Sequence, residues 1–265
     1  MVWKKYSRNE MGKNQKMNNE NDSLGSRMKA YEEVNLHYLT RRMPLIIRVD
    51  GKAFHTLTRK YQFEKPFDLN FMEAMIETGK GLLNEIQGSK LAYIQSDEIS
   101  ILATDYENLE TQSWFDKNLQ KMVSVSASVA TMCFNNYIHN LIKCDSNALF
   151  DSRIFVLPKE EVCNYAIWRQ KDCTRNSIQG LGQANFSHKE MSGLNNDQVQ
   201  EKLFQERKIN WNDFETWKKR GVCLYKKTVQ KTVPNIAEPV MRTEIEVDWE
   251  IPIFTQDRNY VEKWL

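Results

Sequence analysis

The sequence predicts an α+β fold: a palm-like, ferredoxin-like β-α-β-β-α-β core followed by a mostly helical C-terminal lobe. Three observations carry this prediction. Short apolar runs of strand length occur between residues 45 and 157, two long segments with helical periodicity separate them, and helical spacing dominates from residue 159 onwards. This order is that of the split βαβ arrangement, so we expect an antiparallel sheet with two helices on one face.

The first half of the core is predicted from local patterns. Residues 45–50 are rich in β-branched side chains and Gly51 ends the run, which indicates a strand. Apolar residues then recur at helical spacing over 68–86, with Asp68 placed as the N-cap. Residues 91–95 and 99–103 predict two strands joined by Ser96-Asp97-Glu98, which is hairpin spacing.

The second half of the core predicts one more helix and strand. The segment Ser113-Trp114-Phe115-Asp116 resembles a capping box and is expected to open a long helix. Small residues over 123–130 would let that helix lie close to the sheet. Residues 153–157 read as a fourth strand, which Pro158 ends.

The remaining chain predicts helices over 159–171, 175–185, 187–191 and 196–206, with a capping box at Ser187 and Glu190. A turn at 210–213 and strands over 222–225 and 244–249 follow, as pieces of a second lobe. We expect three regions: a disordered N-terminal segment (1–22), a palm-like catalytic domain (23–158) and a C-terminal region packed on it (159–265).

Composition excludes several classes of protein. Lys and Arg number 37 against 35 Asp and Glu, a net charge of +2, so a nucleic-acid partner needs a local basic patch. No apolar run reaches the ~18 residues of a membrane span, so we expect no membrane association. The five cysteines form no CxxC, which indicates reduced thiols and a cytoplasmic location. The four histidines lack zinc-site spacing.

Two acidic motifs fall at strand ends that the predicted topology makes neighbours. Asp50 ends the first strand, and Asp97 and Glu98 lie in the hairpin. Carboxylates within about 5 Å repel each other unless a cation lies between them. Mg²⁺ prefers such oxygen ligands and completes its shell with phosphate oxygens, and the Gly51 carbonyl is a further candidate ligand. Either motif alone is more typical of an ordinary turn, and only their placement on adjacent strand ends brings the metal-site interpretation level with it, so both stay open.

Longer motifs favour the catalytic interpretation. The segments in question are Arg48-Val49-Asp50-Gly51-Lys52-Ala53-Phe54-His55, Lys65-Pro66-Phe67-Asp68, Ala92-Tyr93-Ile94-Gln95-Ser96-Asp97-Glu98-Ile99-Ser100 and Trp168-Arg169-Gln170-Lys171-Asp172-Cys173. In combination they resemble the tRNA(His) guanylyltransferase family, from about Arg27 to the C-terminus. The resemblance implies a reversed palm polymerase that adds nucleotides to the 5′ end of tRNA, with a 5′-monophosphate end first activated by ATP and GTP then added.

The resemblance also implies a set of site residues. Asp50, the Gly51 carbonyl and Asp97 would bind two Mg²⁺ ions, with Glu98 as a further catalytic acid. Lys65 would act on the triphosphate, and Lys121 is a less direct match to a phosphate-binding lysine. The nucleotide contacts implied are Asp50, Gly51, Lys52, Ala53, Phe54, His55, Lys65, Ser96, Asp97, Lys121 and Asn176. Family members assemble as homotetramers, which the resemblance extends to this chain.

One segment departs from the eukaryotic pattern. Residues 174–180 read Thr-Arg-Asn-Ser-Ile-Gln-Gly where eukaryotic members carry His-Ile-Asn-Asn-Leu-Tyr-Asn, so Asn176 alone is kept. This resembles the bacterial, archaeal and phage-type members, which are associated with templated repair of 5′-truncated tRNAs. The sequence leaves open addition of G to tRNA(His), templated repair, a palm-fold nucleotide cyclase and an inactive tRNA-binding homologue.

A tRNA partner requires phosphate contacts. A run without Asp or Glu carries Lys218, Lys219, Arg220, Lys226, Lys227 and Lys231, which we expect to contribute to tRNA binding from the C-terminal region. The alternative is an ordinary solvated surface. Arg169 is a further candidate for RNA contact. Trp168 is expected either to stack on a base or to lie in the core.

Overall fold

A computed structural model describes residues 23–143, 146–231 and 240–265. The disorder expected for residues 1–22 lies outside these described residues. The chain divides into two compact units, one ending at Tyr38 and the other spanning Leu39–Leu265. In the first unit the structure describes helix α1 (Ser23–Glu33).

The larger unit is a mixed α/β structure built on an antiparallel sheet. The strands are β1 (Leu45–Gly51), β2 (Ser89–Gln95), β3 (Glu98–Ala103), β4 (Phe150–Val156), β5 (Val222–Lys231) and β6 (Val240–Asp248). Their order across the sheet is β4-β1-β3-β2-β5-β6, and every pair is antiparallel. The predicted β-α-β-β-α-β order is present, and the two C-terminal strands extend the same sheet beyond β2.

The helices of this unit are α2 (Phe54–Lys60), α3 (Leu69–Glu85), α4 (Leu119–Ile142), α5 (Lys159–Asn185), α6 (His188–Met191), α7 (Asn196–Arg207), α8 (Thr216–Arg220) and α9 (Asn259–Glu262). The expected N-cap of α3 is present: the Asp68 side chain accepts the Phe71 N–H at 2.9 Å. The capping box before α6 is also present, with Ser187 and Glu190 bonded reciprocally. No helix in the described ranges is long and apolar enough to cross a bilayer.

The start predicted for the long helix is wrong. Trp114–Lys117 forms a short 3₁₀ turn, and α4 begins five residues later than expected, where the Asn118 side chain accepts the Lys121 N–H at 3.0 Å. Tertiary contacts decide this turn. Lys117 is buried, forms an ion pair with Asp105 at 3.2 Å, and donates to backbone carbonyls just before β1.

A second correction concerns the helices expected over 159–171 and 175–185. They form the single helix α5, because the residues between them include neither Pro nor Gly and nothing interrupts the backbone hydrogen bonds. A continuous helix of 27 residues extends about 40 Å. It is therefore long enough to form one side of a cleft.

The alternation of β1 separates two faces of the sheet. Ile47 and Val49 face α3 and α4, in an apolar layer that we call the helix-pair face. Ile46, Arg48 and Asp50 face the other way, which we call the charged face; α5 and the C-terminal segment cover its apolar part. The polar residues on this second face lead directly to the candidate site.

Candidate active site

The strand register brings carboxylates together on the charged face. Asp50 lies directly opposite Glu98 of β3 and Asp151 of β4, so all three side chains project from one face of the sheet. Asp97 follows at the β2–β3 turn, where its carbonyl accepts the Gly51 N–H at 3.0 Å. The structure thus places Asp50 and Asp97 side by side. Asp151 is a third acidic neighbour that the sequence analysis missed.

Burial and mutual repulsion raise the pKa values of these acids. Burial raises the pKa of Asp97 to about 6, although its own N–H and Ser96 oppose the shift; the charges of Asp50 and Glu98 add to it. Burial, then Glu98 and Asp151, raise the pKa of Asp50. Raised pKa values in a cleft are typical of functional carboxylates. A cation between them would relieve both effects.

Glu98 is held differently from the other two acids. Its two carboxylate oxygens accept Arg169 Nε and Nη2, each at 2.8 Å, and Gln95 Nε2 donates to it at 3.1 Å. The side chain is buried, and Arg48 lies 3.9 Å away. A bidentate pair of this kind fixes geometry strongly. Glu98 therefore joins the sheet to α5.

Arg169 and Trp168 are neighbours on α5 that differ in exposure. Arg169 is buried between Glu98 and Asp172, whose Oδ2 it contacts at 3.0 Å, and it also lines the cleft described below, so its contact with RNA stays a prediction. A guanidinium matches the two oxygens of a carboxylate, which makes arginine well suited to a buried ion pair of this kind. Trp168 is 54% exposed, so the core alternative for this residue is wrong.

A cleft of about 750 Å³ opens beside the carboxylates. The end of β1, α2, the segment before α3, α5 and α8 form its walls. Predicted site residues on its lining are Asp50, Phe54, His55, Lys65, Ser96, Asp97, Glu98, Arg169, Asn176 and Lys218. The sequence analysis missed Thr58, Asp172 and Gln183, which also line it. The helical spacing of α5, once known to be continuous, places Asp172, Asn176 and Gln183 on one face.

Gly51 packs closely against the Phe54 ring beside this cleft. A Cβ on Gly51 would lie 2.4 Å from the Phe54 ring. That ring is buried against Phe134 and Phe150, with centroids 5.1 and 5.0 Å away. Glycine at position 51 therefore lets the chain turn closely over an aromatic cluster. Most of the Phe54 ring serves the core below the cleft.

Four predicted nucleotide contacts, Gly51 among them, lie outside the cleft lining. Lys52 and Ala53 are exposed at the turn into α2. Lys121 lies in the first turn of α4, whereas the site end of β4 bonds to Thr131, whose Oγ1 accepts the Phe150 N–H at 3.2 Å. Ten helical residues separate the two positions, a distance of about 15 Å.

The basic run divides into two groups. Lys218, Lys219 and Arg220 belong to α8, and Lys218 lines the cleft while pairing with Glu215 at 2.8 Å. Lys226 donates to Ser89 at the far end of β2, and Lys227 pairs with Glu246 at 2.9 Å. Lys226 and Lys227 lie several residues along β5 from α8, and each residue of an extended strand adds about 3.3 Å, so the two groups are apart in space.

Within the described residues, no three His, Cys, Asp or Glu side chains are grouped so as to enclose a metal ion. Asp50 and Asp97 form an open pair of carboxylates instead. Mg²⁺ is typically bound by one or two carboxylates, with waters and substrate phosphates completing its shell. The pair fits that ion and not a closed structural metal site. An antiparallel sheet that presents such a pair beside a lysine-bearing cleft defines a phosphoryl-transfer class of site.

Comparison with known proteins identifies the family. The model of the tRNA(His) guanylyltransferase family matches residues 25–158. The tRNA(His) guanylyltransferase of Debaryomyces hansenii is 31% identical over 216 residues, which cover 74% of this chain and 78% of that protein. A bacterial tRNA(His) guanylyltransferase-like protein solved with ATP is 48% identical, with a TM-score of 0.83 over 91% of this chain and 98% of that one. A structure of a bacterial tRNA(His) guanylyltransferase-like protein with GTP is 47% identical, with a TM-score of 0.79 over 92% of this chain and 99% of that one.

The chain belongs to the tRNA(His) guanylyltransferase family. It is accordingly a nucleotidyltransferase. The resemblance stated from the sequence motifs is confirmed.

Proposed function

We propose that this protein is a Mg²⁺-dependent 3′-5′ nucleotidyltransferase that adds G, or nucleotides dictated by a template, to the 5′ end of tRNA. A 5′-monophosphate end is first activated with ATP, and GTP or another triphosphate is then joined to it. The observation that carries the proposal is the apposition of Asp50 and Asp97 on the lining of a cleft of about 750 Å³. The β4-β1-β3-β2 order supports a palm-like interpretation of this core.

Asp50, Asp97 and the Gly51 carbonyl are the residues that would hold Mg²⁺. The raised pKa values of the two aspartates support this assignment, since burial and neighbouring carboxylates outweigh the charges of Arg153 and Arg48 at Asp50 and the hydrogen bonds at Asp97. When bound, Mg²⁺ would neutralise triphosphate charge and increase the acidity of the attacking hydroxyl. The carboxylates themselves orient the reacting groups at the strand ends.

We assign Lys65 to the binding of phosphate. It lines the cleft, its side chain is exposed, and the structure records no ion pair for it among residues 23–143, 146–231 and 240–265. Lys218 and His55 line the same space. Together they would position the polyphosphate so that the 3′-hydroxyl of the incoming nucleotide attacks the activated 5′ phosphorus and displaces AMP or pyrophosphate. Positioning and charge neutralisation suffice for such chemistry.

The departure at residues 174–180 favours repair of truncated tRNA over strict addition of one G. Thr174 Oγ1 and Ser177 Oγ donate to the carbonyls of Lys219 and Lys218, at 3.2 and 2.6 Å. The segment thus packs on α8 through short hydroxyl side chains, which the eukaryotic residues do not supply. Greater identity to the bacterial guanylyltransferase-like protein than to the enzyme of Debaryomyces hansenii supports the same choice.

The test is nucleotide incorporation into 5′-truncated tRNAs, with each triphosphate offered singly. We expect a choice dictated by the opposing base; G incorporated regardless of that base would indicate a dedicated guanylyltransferase. The control is Asp97→Ala, which we expect to lower incorporation at least a thousandfold while tRNA affinity changes less than about threefold. Equal incorporation by this variant and the parent would contradict the metal assignment.

Two rival activities are separated by the same assay. A nucleotide cyclase would convert labelled GTP to a cyclic product without RNA, whereas the proposed enzyme needs an RNA 5′ end. An inactive homologue would bind tRNA and incorporate nothing. The homotetramer and the cytoplasmic location stay predictions, for which sedimentation and cell fractionation are the measurements.

A further inference from the structure

Trp168 is a large aromatic side chain that the fold leaves exposed. Over half of its surface (54%) is accessible, although tryptophan is usually well buried in a folded domain. The residue lies on α5, directly before the buried Arg169. Its exposure therefore calls for an explanation.

The ring is exposed but firmly held. The Arg169 guanidinium carbon lies 4.5 Å from the ring centroid, and the Tyr165 ring packs edge-on at 5.9 Å. Arg169 is in turn fixed by its two bonds to Glu98, the residue next to Asp97. The indole is thus supported on one side by a buried ion pair that begins beside the candidate catalytic carboxylates. A ring held in this way can stack on a ligand with little loss of side-chain entropy.

Two exposed cations share the same side of α5. Lys171 and Arg175 follow Trp168 at i+3 and i+7, so the three side chains form a row along the helix. Arg175 contacts Asp172, and its side chain is nevertheless 62% exposed. Asp172, which Arg175 contacts, lines the cleft, so the row passes beside the cleft at this point. Aromatic rings combined with backbone-tracking cations are typical of surfaces that bind single-stranded nucleic acid.

We propose that Trp168 is a stacking platform for an unpaired nucleobase of the RNA substrate, with Lys171 and Arg175 contacting the phosphates beside that base. The proposal rests on the proposed function, because it takes the RNA as a substrate of the adjacent cleft. The incoming triphosphate is the less suitable occupant, since Trp168 is not among the residues that line the cleft. A base-paired nucleotide within a duplex is unsuitable too, because its faces are already stacked.

The experiment compares two RNA hairpins that differ only in a short single-stranded 3′ extension. Binding is measured by fluorescence anisotropy, and KM is measured separately for RNA and for the triphosphate. Trp168→Ala is expected to lose about tenfold in affinity for the extended hairpin and less than about twofold for the blunt one. KM for RNA rises in parallel, while KM for the triphosphate and kcat at saturating RNA stay unchanged.

Two control variants keep the test specific. Trp168→Phe retains an aromatic face and is expected to stay within about threefold of the parent. Phe204→Ala removes another exposed aromatic ring, which is 50% accessible on α7, and is expected to change neither measurement. Thermal melts confirm that each variant is folded.

Several results would overturn the platform. If Trp168→Ala lost equal affinity for both hairpins, the ring would serve only general packing. If the affinity for neither hairpin changed, the ring would have no role in binding. A rise in KM for the triphosphate alone would assign the ring to the incoming base. A parent that prefers the extended hairpin through Trp168 but incorporates nothing would keep the platform and remove the proposed function. A parent that binds neither hairpin would remove both.

Discussion

The two faces of the sheet are both covered, yet they are built from different chemistry. The helix-pair face is a continuous apolar layer in which Ile47, Val49, Met75 and Leu83 are fully buried. On the charged face an apolar layer gives way, toward the strand ends, to a chain of ion pairs that runs through Glu98 and Arg169 to α5. Burial of apolar area stabilises a fold at little cost. Buried charges are costly unless they are paired. We therefore infer that the ion pairs on the charged face serve to fix the positions of the side chains beside the cleft.

The largest effect is expected from breaking the central ion pair. Arg169→Met leaves Glu98 buried without its partner, which we expect to cost roughly 3–5 kcal/mol of unfolding free energy. Incorporation should fall about a hundredfold at saturating substrates, because the β2–β3 turn that carries Asp97 loses its anchor. Chemical denaturation and single-turnover kinetics measure the two effects.

The matched control for that prediction removes both charges. Arg169→Met with Glu98→Met should regain most of the lost stability, because no uncompensated charge remains. Activity should stay low. Recovery of activity together with stability would show that the pair serves only to hold the fold.

The helix-pair face should respond in the opposite way. Leu83→Ala creates a cavity in the apolar layer, at the end of α3 remote from the carboxylates, where Ser89 Oγ bonds to the Leu83 carbonyl. We expect a loss of about 2–5 kcal/mol in unfolding free energy and unchanged kcat per folded molecule. A drop in kcat beyond about threefold would show that the two faces are coupled.

A smaller effect concerns pH. The folded-state pKa of Asp97 is raised to about 6, so the native protein binds this proton more tightly than the unfolded chain does. Without divalent cations, its contribution to stability is therefore present below about pH 4 and is lost as the pH rises to about 6. Relative to Asp97→Asn, the parent should lose about 2 kcal/mol across that window. Urea denaturation at each pH in EDTA measures the difference, and a parallel pH dependence of the two proteins would contradict it.

The smallest effect separates the two basic groups. Lys218→Ala, at the cleft, should weaken tRNA binding severalfold and reduce the slope of log K against log salt by about one. Lys227→Ala, on β5 and paired with Glu246 of β6, should leave both the affinity and the slope unchanged. Binding measured over a salt series decides the matter. If both substitutions weakened tRNA binding equally, the two basic groups would act as one continuous tRNA-binding surface.

Local sequence patterns were sufficient for much of the core. The strand at 45–50, the cap at Asp68 and the hairpin around Asp97 follow from residue types and spacing, and their structures agree. They failed at Trp114–Lys117, where the buried Lys117 fixes a turn through partners more than sixty residues away. They also divided α5, whose continuity depends on packing along its whole length.

By itself, the sequence determined the order of strands and helices, the placement of acidic residues at strand ends, and the family, because these depend on local periodicity and on motifs. Only the tertiary structure decided the surroundings of each acid: Asp50, Asp97 and Glu98 all line the cleft, but Glu98 is bound by Arg169, and Trp168 stays exposed beside that pair. The physical reason is that burial and ion pairing depend on neighbours distant in the chain. Spacing along the chain carries no information about which oxygen a guanidinium will reach.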